Sequence, residues 1–121
     1  MKDFRQLKAW QKSHELTLAI YRATVSFPKH ELYGLTSQLR RASASIAANL
    51  AEVCCRASDA DFGRFVAIAL GSASECEYFI MLARDLQLLD GQGATGLIGC
   101  VQEIKRMLTR LHGRLHAPGG T

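Results

Sequence analysis

Four stretches of this chain repeat apolar residues at steps of three and four, and no stretch alternates them in steps of two. The last is the cleanest. Leu97, Val101, Ile104, Leu108, Leu111 and Leu115 line one side of a helix running from about Thr95 to His116. The first helix is expected from about Asp3 to Ser26, with Phe4, Leu7, Leu18, Tyr21 and Val25 on a heptad stripe broken by Gln11 and His14. Trp10, Leu16, Ile20, Ala23 and Phe27 make a second apolar edge on it. Pro28 ends this helix, because its ring removes a donor and pushes Phe27 towards an extended conformation.

The second helix is expected from about Glu31 to Cys55, on the stripe Leu32, Leu35, Leu39, Ala42, Ile46, Asn49 and Val53, with Gly34 weakening its first turn. The third is expected from about Asp59 to Leu89. Ser58 with Asp61 resembles a capping box, Asp standing in for Glu. Phe62, Phe65, Ala69, Ser72, Cys76, Phe79, Ala83 and Leu86 keep heptad steps there, and other apolar residues spread around most of the circumference. DGQGATG at 90–96 reads as a flexible break, too loose for a phosphate loop. Four helices with short connections favour an all-α, antiparallel, up-down-up-down four-helix bundle. Helices one and three carry more apolar surface than one core uses, which points to burial against another subunit.

The 121 residues suffice for one domain, expected over 1–116, with APGGT at 117–121 as a disordered tail. No segment reads as an apolar run of membrane-spanning length, and MKDFRQLKAW has no apolar signal core. A cytoplasmic location follows as an expectation. Cys54, Cys55, Cys76 and Cys100 read as small apolar fillers in a reducing compartment. No C-x-x-C is present, and helical neighbours such as Cys54 and Cys55 point apart.

A polar line runs beside the core of the second helix: Gln38, Arg41, Ser45, Asn49 and Glu52, again at steps of three and four. Helices two and three turn near residue 58, so residues at equal height have numbers that sum to about 116. Arg41 is then level with Glu75, Glu52 with Arg64, and Arg40 is near Glu77. Ser45 comes level with Gly71 and Ser72, in a small-residue run that allows close approach. The line is expected to fix helix register, since a buried amide such as Asn49 must find partners. A binding groove and a subunit contact are the other uses it admits.

FPKHELYGLTSQLRRASASIAANLAE, FRQLKAWQKSHEL and DADFGRFVAIALGSASECEYFIMLARDL together resemble the small proteins encoded by intervening sequences in bacterial large-subunit ribosomal RNA genes. The resemblance spans about residues 4–112, and Gln38, Arg41, Ser45, Asn49, Glu52, Arg64, Ser72 and Glu75 all match family positions. It implies a four-helix bundle assembling into a homopentameric ring. It also implies kinship with the accessory protein of diversity-generating retroelements, whose basic surface binds nucleic acid and a reverse transcriptase. Ala47 stands where many members have Pro, which leaves the second helix straighter. Val53 replaces the Gly after Glu52, which is expected to extend that helix by a turn.

No reaction site is legible. A di-iron bundle needs Glu-x-x-His pairs, and here Glu75 is followed by Tyr78 and Glu52 by Cys55. His112 and His116 have i,i+4 spacing but sit near a terminus, and no His base is placed beside a Cys. No catalysis, metal, cofactor or small-molecule substrate is expected. The net charge of +4 is uneven: residues 1–30 carry +4, 31–100 carry −3, and 101–121 carry +3. In the bundle, Lys2, Arg5, Lys8 and Lys12 of the first helix adjoin Lys105, Arg106, Arg110 and Arg114 of the fourth. That stripe is a candidate surface for sequence-independent binding of RNA or DNA. The competing reading is a scaffold or protein adaptor in which the basic side of one subunit meets the acidic side of the next. Exposure of Lys8, Lys12, Arg106 and Arg110 favours the first reading, and burial between subunits the second.

Overall fold

The computed structural model describes residues 3–55 and 58–116, with side chains to residue 113. It contains four helices: α1 (Lys8–Thr24), α2 (Leu35–Val53), α3 (Asp59–Asp85) and α4 (Gly91–His116). No strand occurs among the described residues. Each helix packs on two others, α1 and α3 both on α2 and α4, while the diagonal pairs do not touch. Cross-links fix the direction. Ser45 meets Ser72, Glu77 meets Lys105, and Lys12 meets Glu103; with the short connections 54–58 and 86–90, contacts at these levels require neighbouring helices to run antiparallel. The bundle is up-down-up-down, as expected.

Helix ends follow local chemistry. A 3-10 turn, Phe4–Gln6, precedes α1 where continuous helix was expected, and Leu7 between them is extended. Edge-on contact of Phe4 with Trp10, at 5.1 Å, and stacking of Trp10 on His14, at 5.0 Å, hold that turn down. A second 3-10 turn, Lys29–Glu31, precedes α2, and Gly34 separates them. Glu31 Oε1 accepts from the Leu35 N–H at 3.1 Å, capping α2. A Cβ on Gly34 would lie 2.8 Å from that oxygen and push the cap aside. Ser58 caps α3 by accepting from the Asp61 N–H at 3.2 Å. The α3 helix stops at Asp85, and Gln87 turns the chain with φ 63°.

Two expectations fail here. DGQGATG is not a loose break: α4 begins at Gly91, with the Asp90 carboxylate accepting from the Gly93 N–H. One strong cap outweighs the entropic cost of the glycines. The helix α2 ends at Val53, with the Cys55 N–H closing on the Glu52 carbonyl, so the extra turn does not form.

The core is Leu16 and Ile20 of α1; Leu39, Ile46 and Leu50 of α2; Val66, Ala73 and Ile80 of α3; and Val101, Ile104 and Leu108 of α4, all nearly inaccessible. On α1 the second apolar edge is therefore the buried one. Leu18, Tyr21 and Val25 of the heptad stripe are 42, 44 and 77% exposed. The buried edge of α1 includes Ser13 and Thr24, whose hydroxyls donate to the carbonyls of Ala9 (2.7 Å) and Ile20 (2.8 Å) in their own helix. On α3 the buried line is Val66, Ala69, Ala73, Cys76, Ile80 and Ala83, while Phe62, Phe65 and Phe79 are half-buried and Leu86 is exposed. By length and composition α3 is apolar enough to cross a membrane, contrary to the sequence reading, yet only 33% of its most apolar window is buried in the chain. That surplus apolar surface has no partner within one bundle.

Candidate nucleic-acid interface and the polar seam

The polar seam assembles where α2 and α3 approach most closely. Ser45 Oγ lies 2.9 Å from Ser72 Oγ, within one residue of the expected register. Asn49 Nδ2 donates to the Ser45 carbonyl at 2.8 Å and to Ser45 Oγ at 3.0 Å. Three of the eight seam residues thus form one connected unit, and the hydroxyls leave the helices free to touch.

The charged members do not join it. Arg41 and Glu75 are both exposed, and neither meets an opposite charge among the described residues. Arg64 bonds Asp61 at 3.3 Å, one turn back, rather than Glu52, and Glu52 and Gln38 are exposed. Arg40 turns away from Glu77. Its Nε donates to Thr24 Oγ1 at 2.8 Å and its guanidinium lies 4.7 Å over the Tyr21 ring. Glu77 instead accepts from Lys105 Nζ at 3.0 Å and from Gln102 Nε2 at 3.2 Å on α4. These bonds hold the Glu77 carboxyl below its ordinary value, the Lys105 bond contributing most. The expected pairs failed because equal height does not bring two outward side chains together. The α2/α3 line is filled by Ser and Asn, and longer groups fan out past it.

The basic stripe on α1 and α4 is partly neutralised by its own chain. Arg5 bonds Asp3 at 3.0 Å, Lys12 reaches Glu103 at 3.4 Å, and Lys105 holds Glu77. Lys8, Arg106 and Arg110 are exposed and meet no carboxylate among the described residues. Lys8 and Arg110 flank one cleft of about 350 Å³ floored by Ala9, Met107 and Leu111. Lys2 and the Arg114 side chain lie outside the described residues, as does the tail at 117–121.

A further cleft was not read from the sequence as a site. It is open, about 610 Å³, and runs along the outer side of α2 between Tyr21, Tyr33, Arg40 and Arg41. Thr36 lines it, and its Oγ1 is buried without a hydrogen bond. The available signal was the adjacent Arg40 and Arg41 above a run of Ser and Ala, with Tyr33 on the preceding turn.

Reaction chemistry finds little to work with. Among the described residues no three His, Cys, Asp or Glu groups cluster as metal ligands. All four cysteines are free. Burial pushes the Cys76 thiol up to about 12, so it stays protonated and unreactive at neutral pH. Burial also raises the Cys100 thiol.

Comparison with known proteins completes the picture. No curated protein matches the chain. A crystal structure from Bacteroides thetaiotaomicron, described as a protein of unknown function from the S23 ribosomal protein family, is 26% identical. It superposes with a TM-score of 0.78 over 86% of this chain and 97% of its own. The model of the 23S rRNA-intervening sequence protein family matches residues 5–110, nearly the full length of the four helices. The chain belongs to the 23S rRNA-intervening sequence protein family.

Proposed function

We propose that this protein is a non-catalytic, self-assembling accessory protein that presents its α1/α4 face to RNA or DNA without sequence preference. The observation that carries the proposal is the trio Lys8, Arg106 and Arg110. These cations are exposed and unspent on carboxylates, while their neighbours Lys12 and Lys105 are spent. Unpaired cations on a rigid helix pair attract phosphate through counterion release, and copies of the face in one assembly add avidity. The family and its structural neighbour are named for 23S rRNA and a ribosomal protein, which sits with an RNA-facing role. A ring is the assembly that the family resemblance implies, and a nucleic-acid enzyme such as a reverse transcriptase is the partner class. A reducing cytoplasm suits the four free thiols.

Fluorescence anisotropy with mixed-sequence RNA and single-stranded DNA tests the proposal. Binding is expected at about 50 mM salt and should weaken about 20-fold at about 200 mM, given three free cations per subunit. Lys8→Gln, Arg106→Gln and Arg110→Gln together should abolish it with the circular dichroism unchanged. No binding at the lower salt contradicts the nucleic-acid role.

A scaffold or protein adaptor without nucleic acid is the second reading, favoured by the apolar residues left outside the bundle. Leu18, Val25, Leu32, Tyr33, Ile68 and Tyr78 all stand exposed on α1, α3 and the segment before α2. It predicts assembly with no phosphate affinity.

A further inference from the structure

Two outward faces of the bundle are each incomplete, and in opposite senses. The outer side of α2 is concave. Arg41, Ala44 and Ala48 floor the large cleft, and Tyr21, Leu32 and Tyr33 rise around it. Beside Arg41 the lining is the short side chains of Ala44, Ser45 and Ala48, which leave the α2 backbone open to close approach. Its Arg41 meets no carboxylate among the described residues.

The outer side of α3 carries exposed apolar side chains. Ile68, Tyr78 and Met81 are 43, 57 and 39% exposed, and Glu75 between them meets no cation among the described residues. A Cβ at Gly71, on the same helix, would meet nothing within 4 Å, so the cost of a mid-helix glycine is unexplained inside one chain.

Height along the bundle links the two faces. The Ser45–Ser72 contact sets the register of α2 against α3. Arg41 is one turn from Ser45, and Glu75 about one turn from Ser72 in the matching direction, so both lie at one level of the bundle. A second copy rotated about an axis parallel to the helices keeps that level. It brings its Glu75 opposite the first copy's Arg41 without any sliding.

We infer that the α3 face of one copy seats in the α2 cleft of the next, with Glu75 of the one paired to Arg41 of the other. The ion pair that the sequence suggests within a chain is made between chains. The contact is heterologous, since each copy gives one face and receives with another, and repetition closes a ring where the rotation fits. Ile68, Tyr78 and Met81 supply the apolar burial, and the Arg41–Glu75 pair supplies register and selectivity. This inference rests on the self-assembly in the proposed function and adds which surfaces meet.

Charge reversal tests it. Sedimentation of wild type, Arg41→Glu, Glu75→Arg and the double variant is compared at micromolar protein and about 50 mM salt, with circular dichroism as the folding control. Each single reversal is expected to weaken assembly at least about tenfold, and the double variant to regain it. Ala48→Trp, which fills the cleft, should also weaken assembly, and serves if a reversal unfolds. Wild-type assembly in all variants overturns the interface and leaves self-assembly standing. Singles that fail without recovery in the double overturn the Arg41–Glu75 pairing. A monomeric wild type overturns both this inference and the assembly reading beneath it. Binding of inorganic phosphate in the cleft of a protein whose assembly ignores Arg41→Glu would make the cleft an anion site and overturn the inference as well.

Discussion

The α2/α3 junction and the α1/α4 junction are held together by different means. At α2/α3 the side chains are short, the helices share their longest contact, and Ser45, Asn49 and Ser72 bond directly across the gap or along it. At α1/α4 the contact is the shortest in the bundle, and long side chains reach over it, as Lys12 does to Glu103. A junction built on close approach tolerates little change. One bridged by exposed ion pairs tolerates much, because such pairs contribute little in water. The charges on the α1/α4 side are therefore nearly dispensable for folding and available for a ligand. The polar groups at α2/α3 belong to the architecture.

The sharpest way to break that contrast is Ser72→Leu. Leucine removes the hydroxyl that Ser45 meets at 2.9 Å and sets a larger side chain against α2, and the change should cost about 1–3 kcal/mol in denaturant unfolding. Wild-type stability in this variant would mean that the α2/α3 approach is not tight. Asn49→Ala is expected to cost about 1 kcal/mol, because it removes both bonds to Ser45.

Glu77→Gln sharpens the comparison from the α3/α4 side, through pH. The Glu77 carboxyl is held below its ordinary value in the fold, so its contribution is complete above the unfolded carboxyl value of about 4.3. It is lost as pH falls below that towards the lower folded value. The melting-temperature gap between wild type and Glu77→Gln should therefore be present at pH 7 and shrink below about pH 4. A gap that widens in acid would contradict the Lys105 bond as its cause. The smallest effect is expected at α1/α4. Lys12→Gln should change stability by about 0–1 kcal/mol, since the partners of its bridge are 39 and 44% exposed and water screens the pair.

Helix number, order and direction were legible from the apolar periodicity, and so was the core of the seam. Ser45, Asn49 and Ser72 were found because a three-four spacing and one turn position fix them. The buried side of α1 was not legible. Its heptad stripe looks more apolar than its true core edge, which includes Ser13 and Thr24. Those hydroxyls bond their own helix backbone, which makes their burial cheap, and a count of apolar residues does not register that. The start of α4 was missed because the three glycines of DGQGATG outweigh one aspartate in any propensity sum, yet the single Asp90 cap decides it. The candidate phosphate face was legible as a stripe, but not which of its cations are spent. That depends on Glu77, which equal height placed near Arg40 instead of Lys105, and on Glu103, which was given no partner.

The proposed self-assembly rests on the apolar surface that one bundle leaves on α1, α3 and the segment before α2. Sedimentation equilibrium of the full chain at micromolar concentration tests it most directly. A mass several times the 13.3 kDa of the chain is expected. A single species at 13.3 kDa across that range would contradict it.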